Sequence, residues 1–197
     1  MAITAAQVKE LRDRTGAGML ECKKALEDNG GDIEAAIDML RAKGAAKAAK
    51  RAGKDAGEGA VGSYIHMGGR IGVLVEVNCE TDFVARTEAF AALVKDIAMH
   101  VAASRPLAVS ADDIDADLVE RERGVFREQV KEEGKPEHIR DKIVEGKLAK
   151  FYKESALLEQ PFVKNPDQTV GELVTEVSAK TGEKIVVRRF ARFELGA

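Results

Sequence analysis

Three histidines, two cysteines and a dense set of carboxylates are among the side chains in this sequence able to attack, ligate or move a proton. Their spacing gives them none of the usual settings. His66, His100 and His138 lie far apart in the chain, and no H-E-x-x-H places two imidazoles on one helical face for a metal. Cys22 and Cys79 form no C-x-x-C. Cys79 stands beside Glu80 and Asp82, whose charge raises a thiol pKa and disfavours a reactive thiolate. The carboxylates are scattered at helical spacing, the pattern of a solvated face. Gly57-Glu58-Gly59-Ala60-Val61-Gly62 matches G-x-G-x-x-G. A dinucleotide site needs a strand before that motif and a helix after it, so that the pyrophosphate meets the helix N-terminus. In this sequence a linker pattern precedes it and a strand pattern follows. Neither V-A-I-K, H-R-D nor D-F-G appears downstream, so a kinase glycine loop is also excluded. The expectation is a protein with no catalytic residues, no metal and no cofactor, and not an enzyme.

One stretch stands apart: Cys79-Glu80-Thr81-Asp82-Phe83-Val84-Ala85-Arg86. An alternating apolar run, Ile71, Val73, Val75 and Val77, ends before it. A helical stripe, Phe90, Leu93, Val94, Ile97 and Val101, begins after it, with Thr87 as its N-cap. A strand-to-helix connection holds side chains rigidly and can aim them outward. Phe83 is therefore either a core plug or a wedge for another protein. Residue type alone favours the plug, because Phe is usually buried.

The elements that must position this stretch follow from local signals. Thr4-Ala5-Ala6-Gln7 is a capping box, with Val8 and Leu11 behind it and Gly16 as the left-handed stop. Met19, Cys22, Ala25 and Leu26 make a second stripe, ended by Asn29-Gly30-Gly31. Asp32 caps a third helix with Ile33, Ala36, Ile37 and Leu40 on one face. Helices this short are marginal alone, so the three must pack together. Residues 44–59 turn to Ala, Lys and Gly, predicting a solvated helical extension and then a flexible linker. A hairpin follows, a strand over 60–67 returning through a two-residue Gly68-Gly69 turn. Two charged helices joined at Gly134-Lys135-Pro136 form a helical hairpin. Pro161 and Pro166 bracket an extended piece, Thr169-Val170-Gly171-Glu172 caps a further helix, and Ile185 to Leu195 alternate as a last strand. The predicted fold class is α+β. Residues 1–43 form a three-helix module and 44–59 a linker. Residues 60–197 form an α+β core, with a small antiparallel three-stranded sheet covered by helices.

Bulk properties narrow the function classes. The 197 residues are 45% hydrophobic and 33% charged, with a formal net charge of -3. A dedicated nucleic-acid binder is usually strongly basic. Aromatics are only 5% and Trp is absent, which leaves few platforms for base stacking. No apolar run approaches the roughly 20 residues that span a bilayer. Met1-Ala2-Ile3-Thr4 lacks a basic region followed by an apolar core, so no signal peptide is expected and the cytoplasm is the expected location. Two free thiols suit that reducing compartment.

Several motifs, in order along essentially the whole chain, resemble those of translation elongation factor Ts, the nucleotide exchange factor for elongation factor Tu. They are Arg14-Thr15-Gly16-Ala17-Gly18-Met19 with Cys22-Lys23-Lys24-Ala25-Leu26, and Thr81-Asp82-Phe83-Val84-Ala85. They continue with Val144-Glu145-Gly146-Lys147, Gln160-Pro161-Phe162-Val163 and Arg192-Phe193-Glu194-Leu195-Gly196. The resemblance reverses the reading of Phe83. It implies that Thr81, Asp82, Phe83 and Val84 meet elongation factor Tu. Phe83 would be an inserted ring and Asp82 a polar contact and local cap, together shifting the elements that hold Mg²⁺ and phosphate. It also implies that the N-terminal module, ubiquitin-associated-like in that family, grips the same partner through Arg12, Met19 and Lys23. Leu20 stands where a second Met is often found. His66 resembles a partner-facing histidine. For Met19 core packing, for Lys23 simple solvation and for His66 an ordinary exposed hairpin position remain open. Longer family members carry two related halves and a C-terminal helix, whereas this sequence has one sheet-forming core and ends at Gly196-Ala197. A homodimer supplying the missing half is the implied consequence, and open sheet edges favour such pairing. Two other classes compete: a ubiquitin-associated-like adaptor in which Phe83 is core, and an RNA binder using Lys43 to Lys54.

Overall fold

The computed structural model describes residues 3–196. The readings made on Met1, Ala2 and Ala197, concerning a signal segment and the chain end, lie outside the described residues. The chain divides into two units that are not contiguous in sequence. One comprises Met1–Gly59, Asn78–Phe90 and Val174–Val186; the other comprises Ala60–Val77, Ala91–Leu173 and Val187–Ala197.

The first unit begins with three helices: α1 (Ala5–Thr15), α2 (Met19–Asp28) and α3 (Ile33–Lys50). The capping signals act as local chemistry requires. The Thr4 hydroxyl accepts from the Gln7 N–H while the Gln7 amide oxygen reaches back to Thr4 N at 3.0 Å. Asp32 accepts from Ala35 N at 3.1 Å, and Gly16 takes the left-handed φ of 68° that closes α1. Val8, Leu11, Cys22, Ala25, Leu26 and Ala36 are buried together, with Ile33, Ile37 and Leu40 packed around them. The helical extension of α3 runs through Lys43 to Lys50. The expected helical extension of the Ala-rich stretch is thus regular helix up to that point, as its high intrinsic propensity favours.

In the second unit, β1 (Glu58–Ile65) and β2 (Ile71–Cys79) form a hairpin whose first and last residues belong to the other unit. The expected two-residue Gly68-Gly69 turn is wider. His66 N donates to Ile71 O at 2.9 Å, so residues 67–70 make the loop, and Gly69 N donates to His66 O at 2.9 Å. Gly68, at φ 84°, is the third residue of that turn, the position at which a type II turn demands positive φ. The one-turn helix α4 (Asp82–Ala85) follows, and then α5 (Glu88–Ser104), with Phe90 N bonded to the Thr87 hydroxyl at 3.3 Å as expected. Helices α6 (Ala116–Glu132) and α7 (Glu137–Ser155) make the predicted helical hairpin around buried Val130, Val144 and Leu148. Helix α8 (Val170–Thr181) lies in the first unit from Val174 onward, β5 (Val186–Glu194) follows it, and the sheet order is β1-β2-β5.

The piece between Pro161 and Pro166 is extended as expected, and it also folds back on itself. It is a second, two-stranded antiparallel sheet, β3 (Pro161–Phe162) with β4 (Asn165–Thr169). Buried His100 anchors it: Nδ1 accepts from Val163 N–H at 3.2 Å, which leaves the Nε2 proton for Gln160 Oε1 at 2.9 Å. Gln160 in turn donates to the carbonyls of Glu154 and Ser104. Burial holds the His100 pKa below its ordinary value against the opposing Gln160 bond. This histidine is a neutral structural connector.

Val73, Val75 and Val77 turn one face of the sheet inward and are buried, as are Leu93, Val94, Ile97 and Val101 on one face of α5. The glycine of β1 at Gly62 has a specific reason. A Cβ there would stand 2.2 Å from Cγ1 of Val94, so the covering helix seats directly on the strand backbone. Substituting Gly62→Val should lower unfolding stability by roughly 1–3 kcal/mol, the usual cost of overpacking. Adding Val94→Ala should recover part of that loss, as measured by urea denaturation of the single and double variants.

Candidate functional site

The central stretch leaves β2 at Cys79 and enters α4 at Asp82. Thr81 is the N-cap, its hydroxyl accepting from Val84 N at 3.4 Å. The capping role expected of Asp82 therefore belongs to Thr81; Asp82 instead pairs with Arg86 at 2.9 Å, one turn on. Val84 is buried and Phe83 is 79% exposed. With consecutive helical positions about 100° apart, sending Val84 to the interior sends Phe83 to water. The core-plug reading of Phe83 is overturned. Val84 contributes packing, and its side chain is not on the surface where a partner contact was expected.

Two carboxylates fix the backbone of this turn. Glu183 accepts from the amides of Glu80 and Thr81 at 3.1 and 3.0 Å and from the Thr81 hydroxyl at 2.6 Å. Glu80 receives Arg51 through two parallel bonds at 2.8 and 2.7 Å and the Lys184 amide at 2.6 Å. Bidentate, charge-assisted bonds of this kind are both directional and strong. Lys184 Nζ donates to the carbonyls of Ala52 and Lys54 at 2.6 and 2.9 Å. Arg51 is the C-cap of α3, so the end of α3, the segment after α8 and the turn are tied at one point. The contacts among these residues carried no sequence signal, because they cross 29 to 132 positions. The Arg51 guanidinium, the Lys184 amide and nearby Lys54 hold the Glu80 pKa down to about 2. The thiol of Cys79 is raised as expected, but the causes differ: burial comes first, then the charge of Glu183 rather than of Glu80 or Asp82.

The predicted module residues lie in the same unit as the turn. Met19 and Leu20 open α2 and are 48% and 84% exposed, which removes the core reading of Met19. Arg12 and Lys23 are exposed, Lys23 pairing with Glu27 at 3.7 Å. Met39 on α3 is a further exposed apolar side chain that sequence reasoning did not single out. His66 belongs to the other unit; it is exposed beside the hairpin loop, its Nδ1 3.1 Å from the Tyr64 hydroxyl. Among the described residues no group of three or more His, Cys, Asp or Glu side chains is arranged to hold a metal ion. No helix among them is long and apolar enough to cross a membrane.

What distinguishes this surface is apolar side chains held in water on rigidly tied backbone. Comparison with known proteins gives that surface its context. The chain is 57% identical over 197 residues to the elongation factor Ts of Syntrophobacter fumaroxidans, covering all of this chain and 98% of that protein. It is 59% identical over 194 residues to that of Desulfosudis oleivorans, with 98% of each chain covered. It is 60% identical over 196 residues to that of Geobacter metallireducens, covering 91% of that protein. The protein is thus a translation elongation factor by class. The family model described as Elongation factor TS matches residues 5–197, and the chain belongs to that family.

The depressed pKa of Glu80 makes a testable statement about this site. A carboxylate with a lowered folded-state pKa adds stability above its ordinary value of 4.5 and loses it as pH falls toward about 2. In a ¹³C-detected titration the Glu80 carboxyl should have its midpoint well below the ordinary glutamate value of 4.5. Substituting Arg51→Met should move that midpoint up toward the ordinary value.

Proposed function

We propose that this chain is a guanine nucleotide exchange factor that binds elongation factor Tu and promotes GDP release during translation elongation in the cytoplasm. It acts by binding alone and catalyses no covalent chemistry. The observation that carries this reading is the exposure of Phe83 on a turn whose backbone is held by two carboxylates. A soft loop would fold its ring inward; a fixed one can press the ring into another protein.

The energetics are those of linkage. If the factor weakens GDP binding to its partner, GDP weakens the factor's binding by the same ratio. A ratio of about 10⁴ needs about 5.5 kcal/mol of differential binding. Burying the Phe83 ring supplies roughly 1.5–3 kcal/mol of it. Asp82, and the surface of Arg12, Met19, Leu20 and Lys23, supply further contact, with His66 from the hairpin as another candidate. Release of fluorescent GDP from elongation factor Tu tests this. Wild type should accelerate release, and folded Phe83→Ala should lose at least roughly tenfold of that acceleration, as a residue worth about 2 kcal/mol does. Acceleration unchanged by Phe83→Ala would overturn the wedge.

A second copy of this chain is the other proposed partner, and a specific surface favours it. On the face of the sheet opposite Val73 and Val75, Val61, Ile65, Leu74 and Phe193 are all exposed. Three contacts assign the strands to that face. Gly62 points to Val94, leaving its neighbours Val61 and Ser63 on the other side; Gly72 points to Ile65; and Arg189 pairs with Glu76 at 2.6 Å. Soluble monomers rarely leave large contiguous apolar patches open. Pairing through this face, rather than through the strand edges, would bury all four side chains under a two-fold axis. Light scattering at micromolar concentration should give a dimer, and Leu74→Glu should shift it to monomer.

A further inference from the structure

We propose that Glu183 is a positioning residue for exchange: its carboxylate orders the Glu80-Thr81 backbone so that Asp82 and Phe83 are presented in one orientation. The inference rests on the exchange reading above.

The geometry is one-sided in a telling way. Both oxygens of Glu183 point at the turn: Oε2 takes the amides of Glu80 and Thr81, and Oε1 takes the Thr81 hydroxyl. Three donors on one carboxylate fix both the direction of the chain leaving β2 and the rotamer of the helix cap. The Thr81 hydroxyl donates to Glu183 and accepts from Val84 N, so the cap of α4 is oriented by a residue 102 positions away. Helix α4 has only four residues and cannot hold itself, since a single turn carries the full nucleation cost. Its shape must be imposed from outside.

Glu183 is itself held. It follows Gly182, whose φ of 73° turns the chain out of α8, and its own carbonyl accepts from the Ser178 hydroxyl. The next residue, Lys184, gives its amide to Glu80 and its ammonium to the carbonyls of Ala52 and Lys54. Glu183 therefore acts from a fixed base. It touches neither Phe83 nor Asp82 in the hydrogen-bond network, so its effect on a partner passes through the backbone. Loss of the carboxylate should loosen the turn while leaving Met19, Leu20 and the rest of the α2 surface in place. Association then survives on the module, and the step that depends on a rigidly aimed ring suffers. Ordering a loose turn on the partner would cost affinity realised only in the distorted state.

The test uses the full chain with elongation factor Tu loaded with fluorescent GDP. Variants Glu183→Gln, Thr81→Val and Thr81→Ser are compared with wild type and Phe83→Ala. Glu183→Gln keeps the shape of the side chain and removes its charge and one acceptor. It should lower the maximal release rate by roughly ten- to a hundredfold, the range for losing a charge-assisted hydrogen bond, with the half-saturating concentration changed by less than about threefold. Thr81→Val, which removes the same contact from its other side, should reproduce the loss, and Thr81→Ser, which keeps the hydroxyl, should restore release; circular dichroism selects the variants that fold. The double variant should be little worse than either single one, as for two residues in one contact. Amide hydrogen exchange at Glu80 and Thr81, measured without partner, should quicken in Glu183→Gln. Wild-type release rates in Glu183→Gln and Thr81→Val, or unchanged amide protection, would overturn the inference while Phe83→Ala still reports on the exchange reading. A wild-type chain that fails to accelerate release overturns that reading itself, and with it a positioning role for Glu183 in exchange.

Discussion

A phenylalanine ring in water is held there against the hydrophobic effect, and that constraint organises the surrounding structure. Exposing a ring of this size rather than burying it costs roughly 1.5–3 kcal/mol. Backbone free to rotate would remove the cost by turning the ring inward. In this chain it cannot, because Val84 fills the inward position and the two preceding amides are fastened to Glu183. The buried neighbour and the distant carboxylate together leave Phe83 a single place to go.

The same fastening explains why the Ala-, Lys- and Gly-rich stretch after Leu40 is not simply slack chain. Composition alone makes a run such as Lys43-Gly44-Ala45-Ala46-Lys47 read as solvated. The structure gives its charges particular partners. Lys47 reaches Glu21 on α2 at 2.6 Å, and Arg51 reaches Glu80 beside the exposed ring. Exposed ion pairs contribute little to stability one by one. Their effect here is geometric: they set the direction of a long helix relative to the turn within the same unit.

What was legible in the sequence was local. The boxes at Thr4/Gln7 and Thr169/Glu172 and the cap at Asp32 span four residues each, and all three form as written. The alternation from Ile71 to Val77 gave the inward face of the central strand, because side-chain direction in a strand has period two. Residue type misled at Phe83, where a general preference for burial was overridden by the neighbour that took the inward position. Pro161 and Pro166 marked the extended character of β3 and β4 but not their pairing with each other, although an edge strand tolerates proline. The reason for Gly62 lay in a helix packed across it, and the contacts of Glu183 and Arg51 in segments far along the chain. No window of residues contains such information.

The first unit is assembled from three segments that are far apart in the sequence, the last of them Val174–Val186. The three N-terminal helices hold their own core and can form as soon as they leave the ribosome, since domains fold from the N-terminus during synthesis at about 5–20 residues per second. The turn bearing Phe83 has to wait. Its amides have no carboxylate to bind until Glu183 has been made and released, 102 residues after Thr81. A truncated or stalled product would carry the helical module without a properly aimed ring. The layout thus ties the presentation of Phe83 to the synthesis of a much later segment: the ring is in working order only once the stretch carrying Glu183 has joined the first unit.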